Sequence, residues 1–203
     1  MLTNQTMEAY IAILKEELVP AMGCTEPIAI SYAAARLREI LGCMPETVRA
    51  DVSGNIIKNV KSVVVPNTGG LVGIEAAVAA GIVAGDASRE LEVISEVSSE
   101  QQAEIRTYLA AEPISVTCAD TTRELDICLE GFSGDHRALV HIANHHTNVV
   151  RVEKDGEVLL DMPLSDNPED NLQDKSVLNV RDIVTFADYV PLHRIRPMLE
   201  RQG

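Results

Sequence analysis

Apolar and polar positions repeat along this chain with two periods, first helical and then alternating. Met7, Tyr10, Ile11, Leu14 and Leu18 recur at helical spacing, so the chain begins with an amphipathic helix. Thr3, Asn4 and Thr6 are its candidate N-caps and Pro20 its end. A second helix is expected over 28–41, where Ala33-Ala34-Ala35 permits a close backbone approach and Gly42 supplies the stop. Cys43, in the following connection, is read as filler. Residues 48–53 and 60–65 are β-rich, and Ser53-Gly54-Asn55-Ile56-Ile57-Lys58-Asn59 separates them as a turn-prone spacer. Pro66-Asn67-Thr68-Gly69-Gly70 then leads into 71–85, a run whose only ionisable residue is Glu75. That run is too short to span a bilayer and reads as a buried helix at the centre of the core.

The second half changes period. Residues 88–97 fit helix and strand equally, and Ser99 with Gln102 resembles a capping box for a helix reaching Ala111, which Pro113 ends. Strands are expected at 114–118, 125–129, 138–143, 149–153 and 158–160, with Asp155-Gly156 turning the last hairpin. Cys118 and Cys128 fall inside apolar alternation and are read as core. A polar stretch over 165–176 precedes a short helix marked by Val180, Ile183, Val184 and Ala187, and a last helical segment from Ile195 contains Pro197. The expectation is an α+β fold, a mostly antiparallel sheet packed with small-residue-rich helices, forming one domain. A linker at 163–176 and a helical segment at 177–203 complete it.

Composition narrows the function classes. Acidic residues number 31 against 17 basic ones, giving a net charge of −14, and no basic stripe occurs, which argues against nucleic acid and anionic membranes as partners. Aromatics make up 3% of the 203 residues and tryptophan is absent, so the core must be aliphatic and alanine-rich. No secretion signal is recognised, and four cysteines without a Cys-x-x-Cys pair suit a reducing cytoplasm.

The candidate chemistry gathers on polar connections. Cys24 precedes a helix that Thr25, Glu26 and Pro27 begin. Free N–H groups and the helix dipole favour a thiolate there, making Cys24 a metal ligand or nucleophile. A small residue in a helix-to-helix corner is the other reading. Ser53, Asn55, Lys58 and Asn59 suit a small carboxylate, and they also suit an ordinary surface loop. Thr68 and Gly69 offer backbone N–H groups to an anion. His136, His141, His145 and His146 cluster in sequence, yet no neighbouring cysteine or carboxylate completes a tetrahedral set. His146, Thr147 and Asn148 are placed instead on a loop that can bind a small ligand.

The runs 19–27, 53–59 and 66–70, followed by His146-Thr147-Asn148, resemble the L-cysteine desulfidase family, related to the iron–sulfur L-serine dehydratases. The resemblance covers nearly the whole chain, as an N-terminal half. It implies β-elimination of L-cysteine to pyruvate, ammonia and sulfide with a [4Fe–4S] cluster, or dehydration of L-serine. Cys24 matches the N-terminal cluster ligand, Glu26 caps its helix or orients a neighbour, and Ser53, Asn55, Lys58, Asn59, Thr68, Gly69, His146, Thr147 and Asn148 bound the substrate. The other cluster cysteines of that family lie in a C-terminal half, so a missing half or partner subunit is expected, as is a homo-oligomer. A non-catalytic amino-acid-binding or assembly domain is the reading from a different class.

Overall fold

The computed structural model describes residues 2–18, 21, 23–164 and 173–200. They form two compact units, Ala21–Leu164 and the pairing of Met1–Pro20 with Ser165–Gly203. The assignment of Pro20 as a helix stop and most of the 163–176 linker lie outside the described residues.

The larger unit contains a six-stranded sheet: β1 (Thr47–Val52), β2 (Ile114–Cys118), β3 (Asp126–Ser133), β4 (His136–Ala143), β5 (Val149–Lys154) and β6 (Glu157–Asp161). The strand order is β2-β1-β3-β4-β5-β6; β1 and β2 are parallel, and every other pair is antiparallel. The fold is α+β, with the mostly antiparallel sheet that alternation implied. Asp155 (φ 49°) and Gly156 (φ 88°) turn the last hairpin in the left-handed region that this dipeptide tolerates.

Helices lie on one face of this sheet: α2 (Thr25–Leu41) and α4 (Ile74–Ala84) pack against the strands, α3 (Gly54–Val60) stands beside α2, and α5 (Ser99–Ala110) packs on α4. Alternate strand residues Ala50, Leu129 and Val140 are fully buried beneath them, as the two-residue pleat requires. The other face carries one polar residue from each strand in a single register row: Thr117, Asp51, Cys128, His141, Arg151 and Asp161.

α4 is almost wholly buried, because its apolar residues surround the helix and it packs beside α2. Gly81 permits this approach: a methyl group there would overlap the Ser31 carbonyl oxygen and lie 2.8 Å from Ala34 Cβ. The Ser31 hydroxyl donates to the Ala77 carbonyl at 2.8 Å, and the Arg38 guanidinium caps the end of α4 through Ile82 O (2.7 Å) and Gly85 O (2.8 Å). Gly42 ends α2, as expected, and does so in the left-handed conformation (φ 85°) open to glycine.

Several local expectations need correction. The 53–59 spacer is not a turn but α3, with Ser53 as its N-cap, since a capping serine followed by Ile56, Ile57 and Val60 buries an apolar helical edge. Residues 60–65 form no strand; only an isolated bridge joins Val64 to Val72. The capping box belongs to Ser98 and Gln101, one residue earlier than expected. Residues 87–92 form 3₁₀ turns. Cys118 is exposed because it ends the edge strand β2, and Cys128 is only half-buried because it lies on the sheet face away from the helices.

The smaller unit contains α1 (Asn4–Glu17), α6 (Val180–Tyr189) and α7 (Leu192–Leu199). Thr3 caps α1, its hydroxyl accepting from Thr6 N. Tyr10, Ile11, Phe186, Val190 and Met198 make a small core, in which the Tyr10 and Phe186 rings stand 5.4 Å apart. The Tyr10 hydroxyl donates to Val177 O at 3.1 Å, and Arg194 forms a two-bond pair with Glu8, each bond 2.7 Å. Among the described residues, no helix is long and apolar enough to cross a membrane.

Candidate functional site

Two separate chain segments meet at Glu26, and a third comes within electrostatic range of it. Cys24 is the residue before α2 and Glu26 lies in the first turn of that helix, so a two-residue step brings thiol and carboxylate together. The Cys24 thiol donates to Glu26 Oε2 at 3.2 Å, and Asn59, near the end of α3, donates from Nδ2 to Glu26 Oε1 at 3.4 Å. The third group is His146, on the 144–148 connection between β4 and β5. It shares an electrostatic interaction with Glu26 that is felt at both residues.

The charges follow from these contacts. Burial pushes the Cys24 thiol above its ordinary pKa, and the Glu26 carboxylate, as hydrogen-bond acceptor and as charge, pushes it further. That reverses the expectation of a thiolate: burial first, and then an anion two residues away, outweigh what the helix N-terminus offers. Burial also opposes ionisation of Glu26. The bonds from Cys24 and from its own backbone N–H, the charge of His146 and the bond from Asn59 together overcome burial, so Glu26 stays below the usual carboxylate range. Desolvation lowers the pKa of His146, against the opposing pull of Glu26. At neutral pH the site therefore holds a thiol, a carboxylate and an imidazole biased to its neutral form. Glu26 thus faces its two neighbours and also takes a bond from its own backbone N–H in the first turn of α2, whereas Cys24, the N-cap residue, makes no side-chain capping bond.

The other expected site residues divide by the work they do. Ser53 is buried; its hydroxyl accepts from Ile56 N at 3.3 Å and donates to Glu124 O at 2.7 Å, so it holds α3 to the start of β3. Thr68 is also buried and pins its own turn, donating to Val65 O (2.7 Å) and accepting from Leu71 N (3.1 Å). Gly69 has φ 69°, and α5 grips its turn: Arg106 donates to Gly69 O at 2.9 Å and Gln102 to Asn67 O at 2.9 Å. Sequence reasoning missed that clamp, although Gln102 and Arg106 stand four apart on one helix face. Asn55 and Lys58 are exposed on α3. Thr147 is half-buried, and Asn148 closes the His146 turn by donating to Ala143 O at 2.9 Å.

The histidines do not act as a set. His145 and His146 lie beyond the end of β4, and His141 Nε2 is 2.8 Å from Asp126 Oδ1, a carboxylate with 5% exposure that also faces Arg123. The partner missing along the sequence comes from the neighbouring strand. Among the described residues, no three His, Cys, Asp or Glu side chains gather as metal ligands.

Nor do the cysteines converge as a [4Fe–4S] cluster requires. Cys43 follows the far end of the 17-residue α2, roughly 25 Å along the helix from Cys24 at 1.5 Å per residue. Cys118 Sγ lies 3.8 Å from where a Cβ on Gly54 would stand, at the start of α3. Cys128 is on the open sheet face, where burial first, then Asp126, Asp51, Glu130 and Glu153, push its thiol up to about 12. The described residues offer a cluster one thiol, so they do not fit a complete three-cysteine set. Cys128 has a direct consequence in solution: alkylation of the folded chain by iodoacetamide at pH 8, followed by mass spectrometry, should leave it the last thiol modified. Early modification of Cys128 would show that the carboxylates do not govern it.

Comparison with known proteins fits no ready-made class. No family model matches the chain, and no solved structure matches it significantly. Curated relatives do. A protein of Desulfitobacterium hafniense is 49% identical over 195 residues, 96% of this chain and 45% of the relative. One of Treponema denticola is 43% identical over 196 residues (96% and 46%), and one of Lachnoclostridium phytofermentans 46% over 192 (95% and 46%). The chain is similar to UPF0597 proteins. All three relatives bear that name and none is named a desulfidase, which overturns the family resemblance drawn from the sequence motifs. The motifs are short runs, whereas the UPF0597 match extends across nearly the whole chain. This chain spans under half the length of these UPF0597 relatives.

Proposed function

We propose that Cys24, Glu26, Asn59 and His146 form one wall of a lyase site that eliminates the β-substituent of a small α-amino acid, L-cysteine before L-serine. The observation that carries this reading is the bonding of Cys24 and Asn59, from two chain segments, to one carboxylate held below its usual pKa, with the thiol pushed up and a neutral-biased imidazole within electrostatic range. Elimination needs a base for the Cα proton and an acid for the leaving group, and pKa values pushed apart supply the two.

In this reading His146 takes the Cα proton while the Cβ–S bond breaks, and the Cys24 thiol protonates the departing hydrosulfide. Glu26 then takes the proton from His146 and passes it to the Cys24 thiolate to which it is bonded, so that imidazole, carboxylate and thiol all return to their starting states. The aminoacrylate tautomerises and takes up water, so that L-cysteine and water become pyruvate, ammonia and hydrogen sulfide. Lys58, exposed one residue before Asn59, is a cation suited to the substrate carboxylate. The remaining walls would come from the additional length that the UPF0597 relatives carry.

A second reading, an amino-acid-binding or assembly module, is favoured by the protonated state of Cys24, since binding needs no nucleophile. Anaerobic incubation with L-cysteine separates them, using the chain alone and supplemented with the polypeptide that corresponds to the rest of the relatives. Sulfide and pyruvate should appear in equal amounts and be lost in Cys24→Ser. Absence of both products in every combination, or full turnover by Cys24→Ser, would overturn the lyase reading.

A further inference from the structure

Within the smaller unit, exposed large apolar side chains gather on α6 and α7. Val180 is 79% exposed, Val184 56%, Ile183 46%, and Leu192 and Leu199 are 68% and 51% exposed on the following helix. On α6, whose buried residue is Phe186, Val180, Val184 and Ala187 follow helical spacing of four and three along an outward stripe. Arg181 and Asp188 are both exposed, stand seven residues apart, and border that stripe on the same side.

This arrangement is self-complementary. If two α6 helices lie antiparallel about a two-fold axis between Val184 and Thr185, Arg181 of each copy falls opposite Asp188 of the other. The axis produces that ion pair twice, and the Val180, Val184 and Ala187 edges face one another. The small and β-branched side chains let the helices approach closely, while Ile183 broadens the apolar side. Residues on one flank of an antiparallel helix pair meet their own kind across the axis, which is the requirement of an isologous interface. Within a single α6, the seven-residue separation keeps Arg181 and Asp188 from pairing with each other. The charge pattern has no local partner of that kind and gains one in the pair.

We infer that the outward stripe of α6 is a homodimer interface, its occupant the α6 stripe of a second copy of this chain. The contact is one short helix pair, so the dimer is a concentration-dependent one.

Sedimentation or light scattering across a concentration series tests it. The chain should move from 22.0 kDa toward twice that mass. Arg181→Asp places like charges opposite one another twice, as does Asp188→Arg, so each variant alone should remain monomeric. An equimolar mixture of the two should dimerise, because both mixed contacts again join Asp to Arg, and the double variant should dimerise by itself. Val184→Glu should be monomeric at every concentration, with unchanged circular dichroism. A wild-type chain that stays monomeric, single charge variants that dimerise like wild type, or a mixture that does not recover the dimer would overturn the inference. Pairing through a different surface gives the second of these results, and binding of some other protein at α6 gives the first.

Discussion

Gly81→Ala is expected to be among the most damaging single substitutions in the larger unit, lowering its stability by about 3 kcal/mol, the upper range for forcing a methyl into a packed core. The reason is backbone geometry. The added Cβ would overlap the Ser31 carbonyl oxygen, a main-chain atom inside α2 that cannot swing away, and would lie 2.8 Å from Ala34 Cβ. Relief requires α2 and α4 to separate, and separation stretches the Ser31–Ala77 hydrogen bond and the Arg38 cap on Ile82 and Gly85. Alanine's better helix propensity, about 1 kcal/mol over glycine, offsets only part of this. Gly54→Ala is the matching control. Its Cβ would meet nothing nearer than Cys118 Sγ at 3.8 Å, at the first position of a helix, so its effect should stay within about 0.5 kcal/mol. Urea denaturation of the two variants checks both values; equal midpoints would mean that the helix pair is not as close as described.

The same contact explains which parts of the fold could be read in the sequence. Alanine and glycine in 71–85 signalled a buried helix needing a close neighbour, and alanine at 33–35 signalled a helix able to supply one. Strand alternation fixed the sheet's character because the period of two has no helical competitor over 138–143 or 149–153. Polar capping segments were harder. Ser53 to Asn59 contains glycine and two asparagines, which local propensity reads as a turn, yet Ile56 and Val60 are buried completely and that burial pays the helix's conformational cost. The candidate site was legible in its members but not in its charge states. Cys24, Glu26, Asn59 and His146 could each be named from residue type, whereas the raised thiol depends on its burial and on the Glu26 carboxylate turning back toward it, neither of which residue type shows. The Asp126–His141 pair failed for the same reason: its two halves are 15 residues apart in sequence and joined only by the β3–β4 register.

Glu26→Gln should lower turnover by about 10²–10⁴-fold, the range for losing a group that manages proton transfer, and should shift the Cys24 titration downward in pH. The sign follows from the causes. In the wild-type chain burial raises the Cys24 pKa first, and the Glu26 carboxylate raises it further as acceptor and as negative charge. Glutamine leaves burial in place and removes the charge, so thiolate forms at lower pH. Alkylation of Cys24 at pH 7.5 should accordingly be faster in Glu26→Gln than in wild type, although the same variant is the poorer catalyst. His146 moves in the same direction: Glu26 supports its protonated form against desolvation, so the variant's imidazole should lose its proton at still lower pH. Proton NMR of the histidine ring and alkylation rates across pH 6–10 would follow both groups, with Asn59→Ala predicted to give a smaller shift because it leaves the charge intact. A merely structural Glu26 would slow turnover without making Cys24 more reactive. If Cys24 in Glu26→Gln titrates at the wild-type pH or above it, the carboxylate does not hold the thiol, and the proposed division into acid and base at this wall fails.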